Sequence, residues 1–189
     1  MLEALLVELT SGDDARAESA VPRLAALGKE TVIPSLRGLL VSPEADIRWW
    51  AARTLASLPS LDPGLLLPLL SDAAPEVRQC AALGLCSHPS AAGIPPLIRA
   101  LSDPDNLAAD LAARALIAVG EPATESLLAV LKEAGQPARI LAMRALAEIA
   151  DPRAIRPMIE AMSEESAMLQ YWAETGLERL GVNMLYVKP

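Results

Sequence analysis

The side chains that most often perform acid–base, nucleophilic or metal chemistry are few in this sequence. It contains one histidine, His88, and two cysteines, Cys80 and Cys86. Ser87 and Ser90 flank His88, but neighbours in sequence rarely form a Ser-His-Asp triad, and no nucleophile-elbow motif is present. We therefore predict no catalytic residue, no metal site and no cofactor, and we expect that the protein is not an enzyme.

The two cysteines are predicted to be structural. Cys80 falls in register with apolar residues of other segments, which is typical of a core position. Cys80 and Cys86 lie six residues apart on one predicted helix, a rise of about 9 Å that is too long for a disulfide. The glycines at the predicted helix ends occur singly, so no glycine-rich phosphate-binding loop is present. The sequence therefore predicts reduced, packed thiols and no nucleotide site.

The elements that position these residues follow from an internal repeat. Alanines recur at separations of 30 or 31 residues, and a leucine follows each alanine by four residues. The alanines are Ala20, Ala51, Ala81, Ala112, Ala142 and Ala173, and the leucines are Leu24, Leu55, Leu85, Leu116, Leu146 and Leu177. A second ladder consists of the pairs Leu36/Leu40, Leu66/Leu70, Leu97/Leu101, Leu127/Leu131 and Met158/Met162. Because residues four apart share a helix face, each repeat is predicted to contain two helices.

This period predicts an all-α fold of six two-helix repeats, about twelve helices in total. The repeats are placed at approximately 1–28, 29–59, 60–89, 90–120, 121–150 and 151–181. Since each repeat buries its face only against its neighbours, we expect residues 1–181 to form a single array. Residues 182–189 form an apolar tail that breaks the repeat. We expect this tail either to cap the last repeat or to dock on a partner.

Composition limits the partners and the location. The formal net charge of −8 opposes the basic footprint of a nucleic-acid-binding protein, so nucleic acid is a disfavoured partner. No apolar run reaches the roughly 18 residues that span a bilayer, and the first residues lack the positive start of a secretory signal. We therefore expect a cytoplasmic protein that does not bind membranes. Pro68 and Pro157 lie inside the apolar pattern and are predicted to bend their helices.

Several segments resemble a HEAT repeat. The shared sequence pattern is an apolar residue, then an arginine, and three residues after the arginine the ladder alanine. It occurs in Ile47-Arg48-Trp49-Trp50-Ala51, Val77-Arg78-Gln79-Cys80-Ala81 and Ala138-Arg139-Ile140-Leu141-Ala142. The period near 30 is similar to that of the short HEAT-like repeats first defined in phycobilisome (bilin) lyases. This resemblance implies a right-handed α-solenoid, a HEAT-like α-α superhelix, and says much less about function. Metal-dependent hydroxylation on this fold uses several His-Glu pairs, which a chain with one histidine does not provide.

The resemblance also implies a role for the arginine of each repeat. In the family this arginine commonly pairs with an aspartate of the turn. Arg48, Arg78 and Arg139 occupy the position here, and Asp72 and Asp103 are the candidate turn partners. We expect these pairs to be structural.

A binding surface is predicted on the face of the Ala/Leu helices opposite the core registers, which usually lines the concave side of such a solenoid. The candidate partner-binding residues are Trp49, Arg53, Leu83, Arg114, Ile140, Met143, Arg144 and Tyr171. Aromatic, methionine and arginine side chains are enriched in protein interfaces. We expect the three arginines to pair with acids of a partner. The alternative is structural: Trp49 or Ile140 packs against a neighbouring helix, and the arginines bridge to Asp110 or Glu174.

Two functional hypotheses follow. The first is a non-catalytic scaffold or adaptor that holds a segment of an unidentified partner protein in the concave groove. The second comes from the resemblance alone, and is a bilin-lyase-like or chaperone-like component that acts on a chromophore or cofactor protein. Self-association through the apolar ends of the chain stays open.

Overall fold

The computed structural model describes residues 1–182. All of the regular secondary structure in this part of the chain is helical. These residues contain eleven α-helices and no strand. The helices are α1 (Leu2–Leu9), α2 (Asp14–Ala25), α3 (Lys29–Leu39), α4 (Ala45–Ala56), α5 (Pro75–Ser87), α6 (Ile94–Ala100), α7 (Asn106–Val119), α8 (Thr124–Glu133), α9 (Gln136–Ile149), α10 (Ile155–Ala161) and α11 (Ala167–Arg179). Short 3₁₀ segments lie at Pro63–Leu65, Leu67–Ser71, Ala91–Gly93, Glu121–Ala123 and Pro152–Ala154. The all-α class and the two helices per repeat are confirmed.

The chain divides into two compact units. The first unit is Met1–Gly93 and contains α1 to α5, and the second is Ile94–Pro189 and contains α6 to α11. Each unit holds three of the predicted repeats. The single array over 1–181 stays a prediction. The predicted cap or docking role of the tail falls on residues 183–189, which lie outside the described residues.

In the first unit, a 3₁₀ helix takes the place of one predicted α-helix. Leu67–Ser71 is the first helix of the third repeat, and Pro68 stands in its first turn. The 3₁₀ segment Pro63–Leu65 precedes it, so Pro68 would be an interior residue of one continuous α-helix from Pro63. There proline has no N–H to donate to the carbonyl four residues earlier and its ring crowds the preceding turn. Leu66, which directly precedes this 3₁₀ helix, packs closely against Gly84 of α5. A Cβ added at Gly84 would lie 2.8 Å from Leu66 Cδ1 and 2.9 Å from Ala56 Cβ. The proline therefore changes the helix type rather than only bending the helix.

The two ladders predicted from the sequence form the cores of the units. The six ladder alanines and the leucines that follow them are all buried, none more than 1% exposed. In the second ladder, the first member of every pair is buried: Leu36, Leu66, Leu97, Leu127 and Met158. The alanines have no side chain beyond Cβ, so the second helices of successive repeats within a unit can approach closely. Each fully buried leucine contributes about 1.5–3 kcal/mol.

Several helix ends are capped by side chains or by a glycine. Asp13, Asp105 and Ser166 cap α2, α7 and α11, and each side chain accepts a hydrogen bond from a backbone N–H of the first turn. Gly120 ends α7 with φ of 78°, a backbone conformation that favours glycine. These caps mark where α2, α7 and α11 begin and where α7 ends, whereas α4, α5 and α9 begin without a side-chain cap.

Candidate functional site

Arg48 joins the turn before its own helix to the turn of the next repeat. Its Nε and Nη2 each donate to Asp72 at 2.7 Å, and its Nη1 donates to the carbonyl of Ser42 at 2.8 Å. The hydrogen bonds from Arg48 hold the pKa of Asp72 below its ordinary value. Both side chains are largely buried. The predicted Arg48–Asp72 pair is therefore confirmed as a structural contact.

The same register position repeats this contact with variations. Arg78 Nη1 donates to the Asp72 carbonyl at 2.9 Å, and Gln170 Nε2 donates to the Glu164 carbonyl at 2.6 Å, in each case six residues earlier. Glutamine in the last repeat thus keeps the backbone bond without the charge. Arg139 Nη2 donates to the Glu164 carboxylate at 2.5 Å, so its acidic partner is a glutamate rather than an aspartate.

In the first unit, Arg53 and Trp49 of α4 form a cluster with Glu18 of α2. Arg53 donates to Glu18 through Nε at 3.1 Å and Nη2 at 2.6 Å. The Arg53 Cζ lies 6.0 Å from the ring centroid of Trp49, which meets Trp50 edge to face at 4.6 Å. The hydrogen bond from Arg53 lowers the pKa of Glu18. Arg53 thus holds an acid of its own chain.

An open cleft of about 440 Å³ adjoins this cluster between α2 and α4. Its lining consists of Asp14, Glu18, Asp46, Trp49 and Trp50. Carboxylates and indole rings therefore share one concavity. Elsewhere in the unit, Leu83 of α5 is exposed, as predicted for the binding face.

The second unit contains a related cluster around Arg144 of α9. Arg144 forms an ion pair with Asp110 of α7, and its Nε donates to Glu148 at 3.1 Å. Its Cζ lies 5.7 Å from the ring centroid of Trp172, which meets Tyr171 edge to face at 5.0 Å. Arg53 and Arg144 therefore each contact an acid of the preceding repeat and a tryptophan, which lies on the same helix for Arg53 and in the following repeat for Arg144.

An exposed apolar strip runs beside this second cluster. It consists of Leu107, Ile140, Met168 and Tyr171, of which Ile140 is half-buried and the other three are 49–55% exposed. A cavity of about 550 Å³ lies between α7 and α9 and is lined in part by Ile140. Arg114 is exposed on α7 and makes no ion pair within residues 1–182. Leu107, Met168 and Tyr171 are the exposed large apolar residues of the second unit within residues 1–182.

Sequence reasoning missed Leu107 and Met168. They share a register with Asp46 and Glu76, so the row changes from acidic to apolar along the chain. That change from acidic to apolar residues could have identified Leu107 and Met168 as candidates from the sequence. Their row lies three residues, about one helical turn, before the row of Trp49 and Tyr171.

One candidate binding residue is misplaced. Met143 is only 2% exposed, and its register neighbours Ala52, Ala82 and Ala113 are buried as well. The prediction that Met143 lies on the accessible face is wrong, because Met143 and the three alanines are packed inside their units, although Glu174 of the same row is exposed. The residues with a binding role open to them are Trp49, Arg53, Leu83, Arg114, Ile140, Arg144 and Tyr171.

The reactive side chains are held in structural contacts. Burial raises the pKa of the Cys80 thiol to about 12, and its Sγ lies 4.0 Å from the Trp49 carbonyl oxygen. His88 Nε2 lies 2.9 Å from the Ala56 carbonyl oxygen at the end of α4. No set of three or more His, Cys, Asp or Glu side chains within residues 1–182 is placed to hold a metal ion. None of the helices in that range has the length and hydropathy needed to cross a membrane.

Two family models match the chain. The model for HEAT repeats matches residues 63–135, and the model for the PBS lyase HEAT-like repeat matches residues 138–164. A curated relative is the phycocyanobilin lyase subunit beta of Nostoc sp. (strain PCC 7120), which is 36% identical over 93 residues, 49% of this chain and 46% of the relative. The chain thus aligns with about half the length of that relative.

Solved structures show the same fold. The complex of CpcE and CpcF of phycocyanin lyase from Nostoc sp. PCC7120 matches with a TM-score of 0.58 at 20% identity, covering 96% of this chain and 77% of that chain. A designed armadillo repeat protein in complex with the peptide (KR)4 matches with a TM-score of 0.51 at 20% identity, covering 95% of this chain and 99% of that chain. At these identities the likeness concerns the fold.

The comparisons overturn one functional prediction. The sequence was expected to encode a protein that is not an enzyme, yet its curated relative is a lyase subunit and residues 138–164 match a lyase repeat. The expectation of a non-enzyme is therefore wrong. It was based on the scarcity of catalytic side chains, which does not exclude catalysis by positioning. Repeat length and arginine register agree with both family models: residues 63–135 match HEAT repeats, and residues 138–164 match the PBS lyase HEAT-like repeat.

Proposed function

We propose that this protein is a subunit of a bilin-lyase-like enzyme that acts on a chromophore or cofactor protein. The observation that carries the proposal is the 36% identity over 93 residues to a phycocyanobilin lyase subunit. The lyase-type repeat at residues 138–164 supports it, because that repeat contains Ile140 and Arg144 of the candidate site. The cytoplasmic location expected from the sequence is part of the proposal.

The second unit supplies the surface for the client protein. Leu107, Met168 and Tyr171 expose about half of their side chains to water, and contiguous exposed apolar residues are typical of interaction sites. Burying such side chains against a client contributes about 1.5–3 kcal/mol each when burial is complete. Arg114 lies on α7, as Leu107 does, and is available to a client carboxylate. Trp49, Arg53 and Leu83 are a further candidate face in the first unit.

Catalysis in this proposal comes from positioning. A lyase forms or breaks a bond by addition to, or elimination across, a double bond, so the reacting groups can all belong to the client and the chromophore. Holding two reactants in an aligned geometry accounts for up to about 7–11 kcal/mol of a barrier. This role agrees with the structural contacts of Cys80 and His88. The protein would bind the client and exclude unproductive orientations.

A second protein chain belongs to the proposal. The curated relative is by name one subunit of its enzyme, and the solved phycocyanin lyase is a complex of CpcE and CpcF. We therefore expect full activity only when this chain is mixed with a companion subunit.

The test is chromophore transfer in a defined mixture. Apo-phycocyanin and phycocyanobilin are incubated with the purified chain, alone and with the companion subunit of that phycocyanobilin lyase. We expect visible absorbance that stays with phycocyanin on a denaturing gel and that depends on this chain. Leu107→Ser combined with Tyr171→Ala should reduce the rate at least tenfold. The matched control is Val41→Ser, which changes an exposed apolar residue of the first unit.

Absence of any chain-dependent adduct in both mixtures, together with absence of binding to apo-phycocyanin, would contradict the proposal. Equal rates for the strip variant and the Val41→Ser control would leave the lyase role intact but remove the apolar strip from it.

A further inference from the structure

The cleft between α2 and α4 of the first unit has a lining suited to a cation. Asp14 and Glu18 lie one turn apart on α2, and Asp46, Trp49 and Trp50 lie within one turn on α4. Two helices thus present three carboxylates and two indole rings to one space of about 440 Å³. We call this space the tryptophan cleft.

The charges of the cleft are only partly compensated. Glu18 is paired with Arg53, whereas Asp14 and Asp46 form no ion pair within residues 1–182 and are exposed. Three carboxylates against one guanidinium leave a local excess of negative charge. The chain as a whole carries a formal net charge of −8, the same sign as this local excess. Charge complementarity therefore calls for a positively charged ligand.

The chain already places one cation in this environment. Arg53 donates two hydrogen bonds to Glu18 while its Cζ stands 6.0 Å from the Trp49 centroid. This geometry combines a bidentate carboxylate contact with a cation–π contact. One indole and one carboxylate therefore act together on a guanidinium at the edge of the cleft. Asp14 and Asp46 offer exposed carboxylates to a second cation, and the half-buried Trp49 and the largely buried Trp50 line the space beside them.

The size and lining of the cleft indicate the form of that cation. A long basic side chain can lay its apolar stem on an indole ring while its charged head remains near the carboxylates. A bare metal ion would use only the carboxylates and none of the indole surface. The corresponding register in the second unit carries Leu107 and Met168, so that row lacks the acidic residues.

We propose that the tryptophan cleft binds a lysine or arginine side chain of a partner protein segment. The site is separate from the apolar strip, and the inference does not depend on the lyase role. It adds a basic residue to the features that a partner segment of this protein should carry.

Tryptophan fluorescence tests the proposal on the chain alone. Trp172→Phe leaves Trp49 and Trp50 as the only tryptophans. In this background the chain is titrated with an amidated, acetylated octalysine peptide and, separately, with MgCl₂ and with an octaglutamate peptide. We expect a saturable change with octalysine only.

Two double variants separate the cleft from general charge attraction. Asp14→Asn with Asp46→Asn removes the unpaired carboxylates, and Glu133→Gln with Glu178→Gln removes two exposed carboxylates elsewhere. Both changes raise the net charge by the same amount. We expect the Asp14→Asn/Asp46→Asn variant to bind octalysine about tenfold more weakly, because two charge-assisted contacts are lost. The Glu133→Gln/Glu178→Gln variant should bind it less than twofold more weakly.

Equal weakening in the two double variants would overturn the proposal in favour of non-specific attraction. The absence of a saturable change would overturn it as well, and saturation by MgCl₂ alone would assign the cleft to an inorganic cation instead. Circular dichroism establishes that each variant is folded. Because no chromophore is present, these results are distinguishable from failure of the lyase test.

Discussion

Arg144 of α9 forms an ion pair with Asp110 of α7, which lies 34 residues earlier in the same unit. Arg53 and Glu18 of the first unit make the corresponding contact across 35 residues. In both clusters the guanidinium also approaches a tryptophan ring. These arginines therefore link neighbouring repeats, and a partner would have to compete with an acid already in place.

Arg114 should matter more than Arg144 for binding an acidic group of a client. Arg114 is exposed and has no ion-pair partner within the described residues, whereas Arg144 contacts Asp110 and Glu148. We expect Arg114→Glu to weaken binding of apo-phycocyanin several-fold more than Arg144→Glu, as measured by calorimetry with variants of equal helix content. A larger loss for Arg144→Glu would show that the client displaces the internal acids.

The Arg48–Asp72 pair should stabilise the first unit more than an exposed pair does. Arg48→Ala removes two hydrogen bonds from the Asp72 carboxylate, which keeps the one from the Ala74 N–H, and it removes the Arg48 donor from the Ser42 carbonyl. Arg156→Ala is the matched control, because Arg156 pairs with Glu160 on the surface with a side-chain exposure of 89%. We expect a clear fall in the Tm for Arg48→Ala and almost none for the control. Similar falls would mean that the Arg48 pair is energetically a surface pair.

Asp151 should make stability depend on acid pH. Hydrogen bonds from Arg153, with others from the Arg153 backbone and Thr124, lower the pKa of Asp151 to about 2 from 3.8. Because the folded pKa lies below the unfolded one, this stabilisation is present above pH 3.8 and is lost as the pH falls towards 2.

The check is urea unfolding between pH 5 and pH 2, compared with Asp151→Asn. The wild-type protein should lose more stability than the variant over the lower part of this interval. Parallel curves would contradict the assigned pKa. Other carboxylates contribute to both curves and cancel in the difference.

Replacing Gly84 or Gly38 by alanine should change the free energy of unfolding in opposite directions. Gly84→Ala places a Cβ 2.8 Å from Leu66 Cδ1 and 2.9 Å from Ala56 Cβ, whereas a Cβ at Gly38 meets nothing within 4 Å. We expect Gly84→Ala to destabilise the protein by about 1–3 kcal/mol, because of overpacking. Gly38→Ala should stabilise it by about 0.4–1 kcal/mol, because alanine is the better helix former. Denaturant midpoints report both, and a neutral Gly84→Ala would mean that α5 can shift.

Met143 should behave as a core residue. It is 2% exposed, so Met143→Ala is expected to cost about 2–5 kcal/mol of unfolding free energy. Client affinity, measured on the folded fraction, should not change. A loss of affinity without a loss of stability would restore Met143 to the binding face.

The sequence by itself determined the repeat and its two helices. The Ala51 and Leu55 register recurs every 30 or 31 residues, and the placement of residues i and i+4 on one face is a property of a single helix that needs no knowledge of its neighbours. The resemblance to HEAT repeats implied a turn aspartate as the partner of the register arginine, and Arg48 pairs with Asp72 of the next repeat. The expectation of a non-enzyme failed because it was based on the scarcity of catalytic side chains, whereas a curated relative is a lyase subunit.

Tertiary structure decided which side of each helix remains accessible. Met143 was expected on the surface and is buried, while Leu107 and Met168 were overlooked and are exposed. The rotation of a helix about its axis is set by the side chains of the helices against which it packs, and periodicity does not specify it. The same packing brought Arg53 to Glu18 and Arg144 to Asp110 across a whole repeat. Local spacing therefore determined the elements, and the packing between repeats decided which of their side chains a partner can reach.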